Sequence, residues 1–239
     1  MPVLQLPFFY ISEYIPGEKN IILDENNSRH VVQVLRMQTG EALHLTDGKG
    51  HLLTAEIADP HKKHCGVSIT NTAFLEPCYP RITIAISLLK NANRFEWFLE
   101  KATEIGVASI VPLVSERTEK DRAKTERLQQ ILISALLQSR QVWLPQMPEP
   151  VKYTDFIKDR GFQAIPRKFI AHCLEEEKYS LKDRQVDADC IILIGPEGDF
   201  TTEEIGAALA NGYQPVTLGA TRLRTETAGV VAAALLCVR

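Results

Sequence analysis

Two short segments near the carboxyl end concentrate the residue types from which a ligand site can be built. The first, Gly195-Pro196-Glu197-Gly198-Asp199-Phe200, follows the apolar run Ile191–Ile194 and precedes a helix opening at Thr201. Its two glycines let the backbone pass close to a ligand at the carboxyl edge of a sheet. The second, Gly219–Thr227, follows Val216-Thr217-Leu218 and carries Arg222, Arg224, Thr225 and Glu226 just before an almost wholly apolar helix from Ala228. A polar loop against a buried helix implies a pocket with convergent polar groups. Either loop alone also fits an ordinary strand-to-helix turn. Their pairing in the last fifth of the chain points to a site.

Other chemistries fail on spacing. Gly48-Lys49-Gly50 lacks a third glycine and sits in a hairpin, so it is no dinucleotide fingerprint, and neither GxxxxGK[ST] nor GxSxG occurs. His61-Lys62-Lys63-His64-Cys65 has no second ligand pair elsewhere and reads as an exposed turn, so no metal is expected.

The elements that position these loops alternate. From Arg81 to the end, apolar strands (Arg81–Leu88, Ser109–Val114, Phe169–Cys173, Cys190–Ile194, Val216–Leu218) are separated by helices, which predicts an α/β domain with a largely parallel sheet. Asn93 and Glu96 suggest a capping box for a helix with Phe95, Phe98, Leu99, Ala102 and Ile105 on one stripe, ended by Gly106. A second helix is expected over Lys124–Trp143, stopped by Pro145, Pro148 and Pro150. Thr201 and Glu204 form another capping box. Residues 1–75 read as a small β-rich domain: Glu41–Thr46 and His51–Ala58 flank Asp47-Gly48-Lys49-Gly50, a hairpin signal, and Gly66–Thr72 follows. Ser28 is expected to cap a short helix bearing Val31, Val34 and Leu35 on one side. Glu76-Pro77-Cys78-Tyr79-Pro80 reads as the linker to the domain at 76–239.

Composition bounds the rest. The 239 residues are 45% hydrophobic and 24% charged, which excludes disordered and collagen-like classes. The longest uncharged apolar run, Ala228–Val238, is too short for a membrane span of roughly 18–20 residues. The opening MPVLQLPFFYISEY lacks a basic n-region, and five scattered cysteines (Cys65, Cys78, Cys173, Cys190, Cys237) avoid CxxC spacing, so a cytoplasmic protein with reduced thiols is expected. Residues 1–76 hold 6 Lys/Arg against 9 Asp/Glu, and residues 77–239 hold 21 of each. An RNA-binding surface must then be a local patch. The richest stretch carries Arg117, Lys120, Arg122, Lys124, Arg127 and Arg140, with acidic residues interleaved as on a solvated helix face.

The residues now on the page resemble a known family. Gly195-Pro196-Glu197-Gly198 and Leu218-Gly219…Leu223-Arg224-Thr225-Glu226-Thr227-Ala228 are similar to the paired signatures of the 16S ribosomal RNA uridine-N3 methyltransferases, members of the SPOUT superfamily. Arg29-His30 with Val34-Leu35-Arg36 and Gly40 resembles that family's amino-terminal barrel. Lys90…Arg94…Lys101–Val107 resembles its first helix and Gln138…Pro145 its second.

The resemblance implies a PUA-like β-barrel joined to an α/β domain with a mostly parallel sheet and a carboxyl-terminal trefoil knot. It implies a homodimer that uses S-adenosyl-L-methionine without metal or membrane and methylates N3 of uridine 1498 in 16S rRNA, in free RNA or within the 30S subunit. Carried over residue by residue, the cofactor contacts fall on His172, Ile194, Gly195, Pro196, Glu197, Gly198, Leu218, Gly219, Leu223, Thr225 and Ala228. Arg224, Glu226 and Arg222 are the candidates for catalysis. Glu226 would act as base or pair with Arg224, and an arginine would stabilise charge on the uracil carbonyls. Expected RNA contacts are Arg29, Arg36, Lys90, Arg94, Arg117 and Arg140. The chain departs from the pattern at Asp199, where glycine is usual, at Thr221, commonly arginine, and at Leu137 and Gln141 around Gln138. A related enzyme with another RNA target, or a non-catalytic RNA-binding protein, are the alternatives.

Overall fold

The protein, in a computed structural model, is described for residues 6–121, 123–184 and 186–238. It divides into two compact units, residues 1–77 with 136–144, and residues 78–135 with 145–239.

The first unit contains β1 (Phe8–Tyr10), β2 (Asn20–Ile22), α1 (Glu25–Arg29), β3 (Ala42–Thr46), β4 (His51–Asp59) and β5 (Gly66–Phe74). Its strands lie in the order β1-β3-β4-β5-β2, with β1 parallel to β3 and all other pairs antiparallel. Irregularities at Thr54/Ala55 and Ile57/Asp59 bend β4 against β5, and bends of this kind curl a sheet towards a half-barrel. Leu43, Leu45, Leu53, Ala55, Ile57 and Val67 alternate inward to form its core.

The hairpin forms where expected. Gly48 and Gly50 take left-handed φ of 69° and 98°, and Asp47 Oδ1 accepts the Lys49 N–H at 2.8 Å. Both glycines have a second role. A Cβ at Gly48 would lie 2.8 Å from Leu144 Cβ, and one at Gly50 would lie 2.6 Å from the Trp143 ring. The expected helix over Lys124–Trp143 therefore stops early, at Gln138. Arg140 turns the chain at φ 56°, and Val142–Leu144 runs along the hairpin tip through Gly50 N–H to Val142 O and Leu144 N–H to Gly48 O, each 2.9 Å. The stop precedes the prolines because these backbone bonds replace helical ones.

Ser28 is not the cap of α1. Asp24 is, in extended conformation, accepting the Asn27 N–H at 2.8 Å. Ser28 is buried instead, donating to Leu23 O and accepting the Cys65 N–H. The turn after α1 is a π-helix over His30–Val34, so helical spacing no longer holds: Val31 is buried while Val34 and Leu35 are exposed.

The second unit contains β6 (Ile82–Ser87), α2 (Ala92–Ile105), β7 (Ser109–Val114), most of α3 (Thr125–Gln138) and β8 (Val151–Lys152). After these come α4 (Tyr153–Phe156), α5 (Arg160–Gln163), β9 (Arg167–Ala171), β10 (Tyr179–Ser180) and β11 (Cys190–Ile194). The last elements are α6 (Thr202–Ala210), β12 (Gln214–Thr217) and α7 (Thr225–Cys237). The sheet order is β10-β12-β9-β11-β6-β7-β8, and every pair is parallel. β6 and β11 are buried at every position, as expected of strands covered on both faces.

The cap of α2 lies two residues before the expected one. Asn91 caps it, accepting the Asn93 N–H at 3.0 Å, and Gly106 ends it at φ 94°. Glu96 is drawn out of any capping box by Arg127, which binds it through two nitrogens at 2.6 and 2.8 Å. Among the described residues no helix is long and apolar enough to cross a membrane, and no group of three or more His, Cys, Asp or Glu is placed to hold a metal.

Candidate active site

Three loops leave the carboxyl ends of adjacent parallel strands, β12, β9 and β11, where ligands bind in open α/β sheets. They enclose a cavity of about 760 Å³. Volumes of roughly 300–1,000 Å³ are typical of small-molecule sites.

The loop after β11 is built largely as its sequence suggests. Thr201 and Glu204 form the capping box of α6, with Glu204 N–H to Thr201 Oγ1 at 3.2 Å and Thr201 N–H to Glu204 Oε2 at 3.0 Å. The other Glu204 oxygen accepts the Glu116 N–H at 2.9 Å, which ties this loop to the turn after β7. Gly195 is needed because a Cβ there would meet Phe200 N at 3.1 Å and Asp199 Oδ1 at 3.2 Å.

Gly198 packs differently from Gly195. It does not line the cavity; its carbonyl accepts Arg117 Nη1–H at 2.8 Å, and a Cβ would meet Arg117 Cδ at 3.4 Å. Its neighbour there is an exposed side chain. Asp199, at the position where the resembled family has glycine, adopts φ 65°. An aspartate tolerates this region better than most residues because its side chain bonds locally. Here Oδ1 accepts the Phe200 N–H at 2.9 Å.

The loop after β12 turns at Gly219, whose φ of 153° lies where side chains are rarely tolerated. Thr217 Oγ1 braces the turn, donating to Gly219 O at 2.8 Å. Helix α7 starts at Thr225, earlier than the apolar run alone suggests. Arg224 is its extended N-cap residue and supplies no side-chain cap, leaving the first-turn N–H groups without one. Arg222, Leu223, Arg224, Thr225 and Ala228 all line the cavity, as do Leu218 and Gly219.

Glu226 lies beside the cavity rather than in it. It is buried, Oε1 is 3.7 Å from Arg94 Nε on α2, and Oε2 has no hydrogen-bond partner among the described residues. The pairing with Arg224 weighed from the sequence is replaced by one with Arg94.

From β9, His172 enters the cavity wall with both ring nitrogens buried and unpartnered among the described residues. Burial holds its imidazole below the usual histidine range, and the nearby Lys178 charge adds to this. Ile194, Pro196 and Glu197 also line it. Glu175 and Lys178 also line the cavity and were missed, because the segment after β9 carries no glycine signature or capping motif that marks a ligand loop.

The expected RNA contacts have internal partners in several cases. Arg29 pairs with Glu25 at 3.1 Å, Lys90 with Glu119 at 2.7 Å, and Arg140 Nη2 donates to Leu6 O at 3.3 Å. Arg36 is exposed at φ 56°. Arg122 lies outside the described residues.

Comparison with known proteins agrees with this architecture. A model of an RNA methyltransferase domain matches residues 76–237, and one of an RNA methyltransferase PUA domain matches residues 23–70. The Ribosomal RNA small subunit methyltransferase E of Synechocystis sp. is 32% identical over 225 residues, covering 91% of this chain and 72% of that protein. A probable rRNA-methyltransferase from Porphyromonas gingivalis superposes with a TM-score of 0.87 at 40% identity, over 95% of both chains. The small subunit methyltransferase E of Neisseria gonorrhoeae, bound to S-adenosyl methionine, gives 0.83 at 31% identity over 96% of both. With its parallel sheet, its curled amino-terminal sheet and a family match over most of its length, this chain belongs to the RNA methyltransferase family that carries a PUA domain.

Proposed function

We propose that this chain is a cytoplasmic S-adenosylmethionine-dependent methyltransferase that modifies N3 of uridine 1498 in 16S rRNA within the assembled 30S subunit. The observation that carries this reading is the cavity at the β12–β9–β11 edge, rimmed by Arg222 and Arg224 on an uncapped helix start. Its residues suit the cofactor. The orphaned His172 nitrogens can each take a polar ligand atom, the close turn at Gly219 leaves backbone accessible, and Glu175 and Glu197 offer carboxylates to a cationic ligand.

When bound, S-adenosylmethionine supplies a methyl group on a positively charged sulfur that departs as a neutral thioether. The protein's remaining task is the uracil. Its N3 proton must leave as the new nitrogen–carbon bond forms, and Glu226 is the carboxylate assigned to receive it, held from the other side by Arg94. Arg224, with Arg222 beside it, stabilises the negative charge that spreads to the carbonyl oxygens. Arg29 and Arg36 are assigned to the RNA backbone, which basic side chains hold without reading sequence.

A homodimer belongs to this reading. Helix α7 buries Gly229, Ala232, Ala233 and Leu236 but leaves Val230, Val231, Ala234 and Leu235 only half-buried, an apolar face suited to a second copy. Light scattering should give twice the sequence mass of 26.8 kDa at micromolar concentration.

The deciding experiment incubates the protein and labelled cofactor with 30S subunits and with free 16S RNA from cells lacking this modification. Mass mapping should place one methyl group on N3 of uridine 1498, mainly in the subunits. A methyl group at another nucleotide would redirect the substrate assignment, and cofactor binding without transfer would remove the enzymatic one.

A further inference from the structure

The carboxyl edge of the sheet continues past the cofactor cavity to β6, which lies next to β11 and runs parallel to it. There, a second hollow of about 530 Å³ opens between the start of α2 and the start of α3. Its floor is apolar: Leu88 and Leu89, directly after β6, and Phe95 and Leu128 from the two helices are all buried. Its rim is basic. Arg127 is consumed by Glu96, whose carboxyl is held below the usual range by those hydrogen bonds. Lys120 and Lys124 are exposed and have no ion pair among the described residues. Asn93 also lines the groove, exposed and with no side-chain hydrogen bond among the described residues.

Neighbouring positions on α2 and α7 link the groove to the catalytic residues. Asn93 faces it, Arg94 next in sequence meets Glu226, and Thr225 beside Glu226 lines the cofactor cavity. Building on the methyltransferase reading above, we propose that this groove seats one unpaired nucleotide of the RNA, next to the nucleotide being methylated.

The chemistry fits such a nucleotide. An apolar floor takes a base face in a sequence-tolerant way, and two lysines at the rim take the adjoining phosphate. The Asn93 amide offers both a donor and an acceptor to an exposed base edge, as single-stranded RNA recognition requires. An acidic peptide would use the lysines but leave the apolar floor unexplained.

Two variants test this without touching the cofactor cavity. Ala123→Trp fills the groove, and Lys120→Glu with Lys124→Glu reverses its rim. Each should raise KM for 30S subunits at least tenfold while kcat at saturating subunits stays within about threefold and calorimetric cofactor affinity is unchanged. The charge-reversed variant should also lose about 0.7 from the slope of log KM against log salt for each phosphate contact removed. Folded variants with KM within twofold of the parent would overturn the proposal. So would dissociation of a parental dimer by the lysine reversals, which would assign the groove to a second copy. A parent chain that transfers no methyl group to any RNA would overturn the enzymatic reading itself, a result distinct from either.

Discussion

Asp199 and Cys173 join two of the three loops that form the cavity: Asp199 Oδ2 accepts the Cys173 N–H at 2.7 Å, while Oδ1 of the same carboxylate holds the Phe200 N–H. The carboxylate thus spans the strand ends of β11 and β9, at a residue whose own backbone is left-handed. Where glycine stands in the resembled family it supplies only the backbone freedom. Aspartate here adds a link.

Replacing Asp199 separates these contributions. Asp199→Ala loses both hydrogen bonds and keeps a left-handed φ that costs roughly 1–2 kcal/mol for an ordinary residue. Cofactor affinity should fall by about tenfold or more. Asp199→Gly loses the bonds without the backbone cost and should fall less, and Asp199→Asn should stay nearest the parent. Calorimetry with S-adenosylmethionine checks the order; an alanine variant as tight as the parent would refute the link.

Gly195 and Gly198 should behave differently although both belong to one motif. A side chain at Gly195 runs into the Phe200 backbone, which cannot give way without moving the start of α6. Gly195→Ala should therefore weaken cofactor binding by more than tenfold, about 1.4 kcal/mol. Gly198→Ala meets only the flexible Arg117 stem and should bind within about threefold. Equal losses at both positions would mean that the ligand reaches Gly198 after all.

His172 makes cofactor binding pH-dependent on the acid side. Its folded-state pKa lies below the ordinary value of about 6.5, so the ring is neutral at pH 7 and gains a proton only at lower pH. Between the folded and ordinary values the unfolded chain binds more protons, so stability rises with pH there and is constant above it. A protonated ring would also repel a cationic cofactor. Affinity should be flat from pH 7 to 8 and fall only as the pH drops through the depressed folded-state pKa, and His172→Asn should flatten that fall. Titration calorimetry across pH 5–8 is the measurement.

Gly229 lets α7 pack closely on its neighbours: a Cβ there would lie 2.6 Å from the Phe98 ring and 2.9 Å from Ile86 Cδ1. Overpacking of a dense core costs roughly 1–3 kcal/mol. At about 2–4 °C per kcal/mol for a chain of this length, Gly229→Ala should lower Tm by roughly 2–12 °C. Adding Phe98→Leu should restore part of it. A Tm within 1 °C of the parent would show that the helix has room to shift.

Arg224 should matter for turnover rather than folding. Its side chain lines the cavity, exposed and without a cap hydrogen bond. Arg224→Ala should keep its Tm and bind cofactor within a few-fold, while single-turnover methylation of 30S subunits slows by roughly 10²–10³. Arg224→Lys should recover part, since an ammonium cannot reproduce the planar guanidinium. A near-normal rate would shift the role to Arg222 or Glu226.

What the sequence determined by itself is what short-range bonds encode. The Thr201–Glu204 capping box, the Asp47–Gly50 hairpin and the Gly106 stop each rest on partners a few residues apart, so the residue types reveal them. Family resemblance added the cofactor and the reaction, which no periodicity carries. Tertiary structure decided wherever a distant partner competed with a local one. Arg127 removed Glu96 from its box, the hairpin glycines took Val142–Leu144 out of a helix, and Arg94 rather than Arg224 met Glu226. Arg117 packed against Gly198 from 81 residues away, and Glu175 and Lys178 reached the cavity only because β9 lies between β12 and β11. Which partner a charged side chain reaches depends on the chain's order in the sheet and the packing of its helices, which no local spacing encodes.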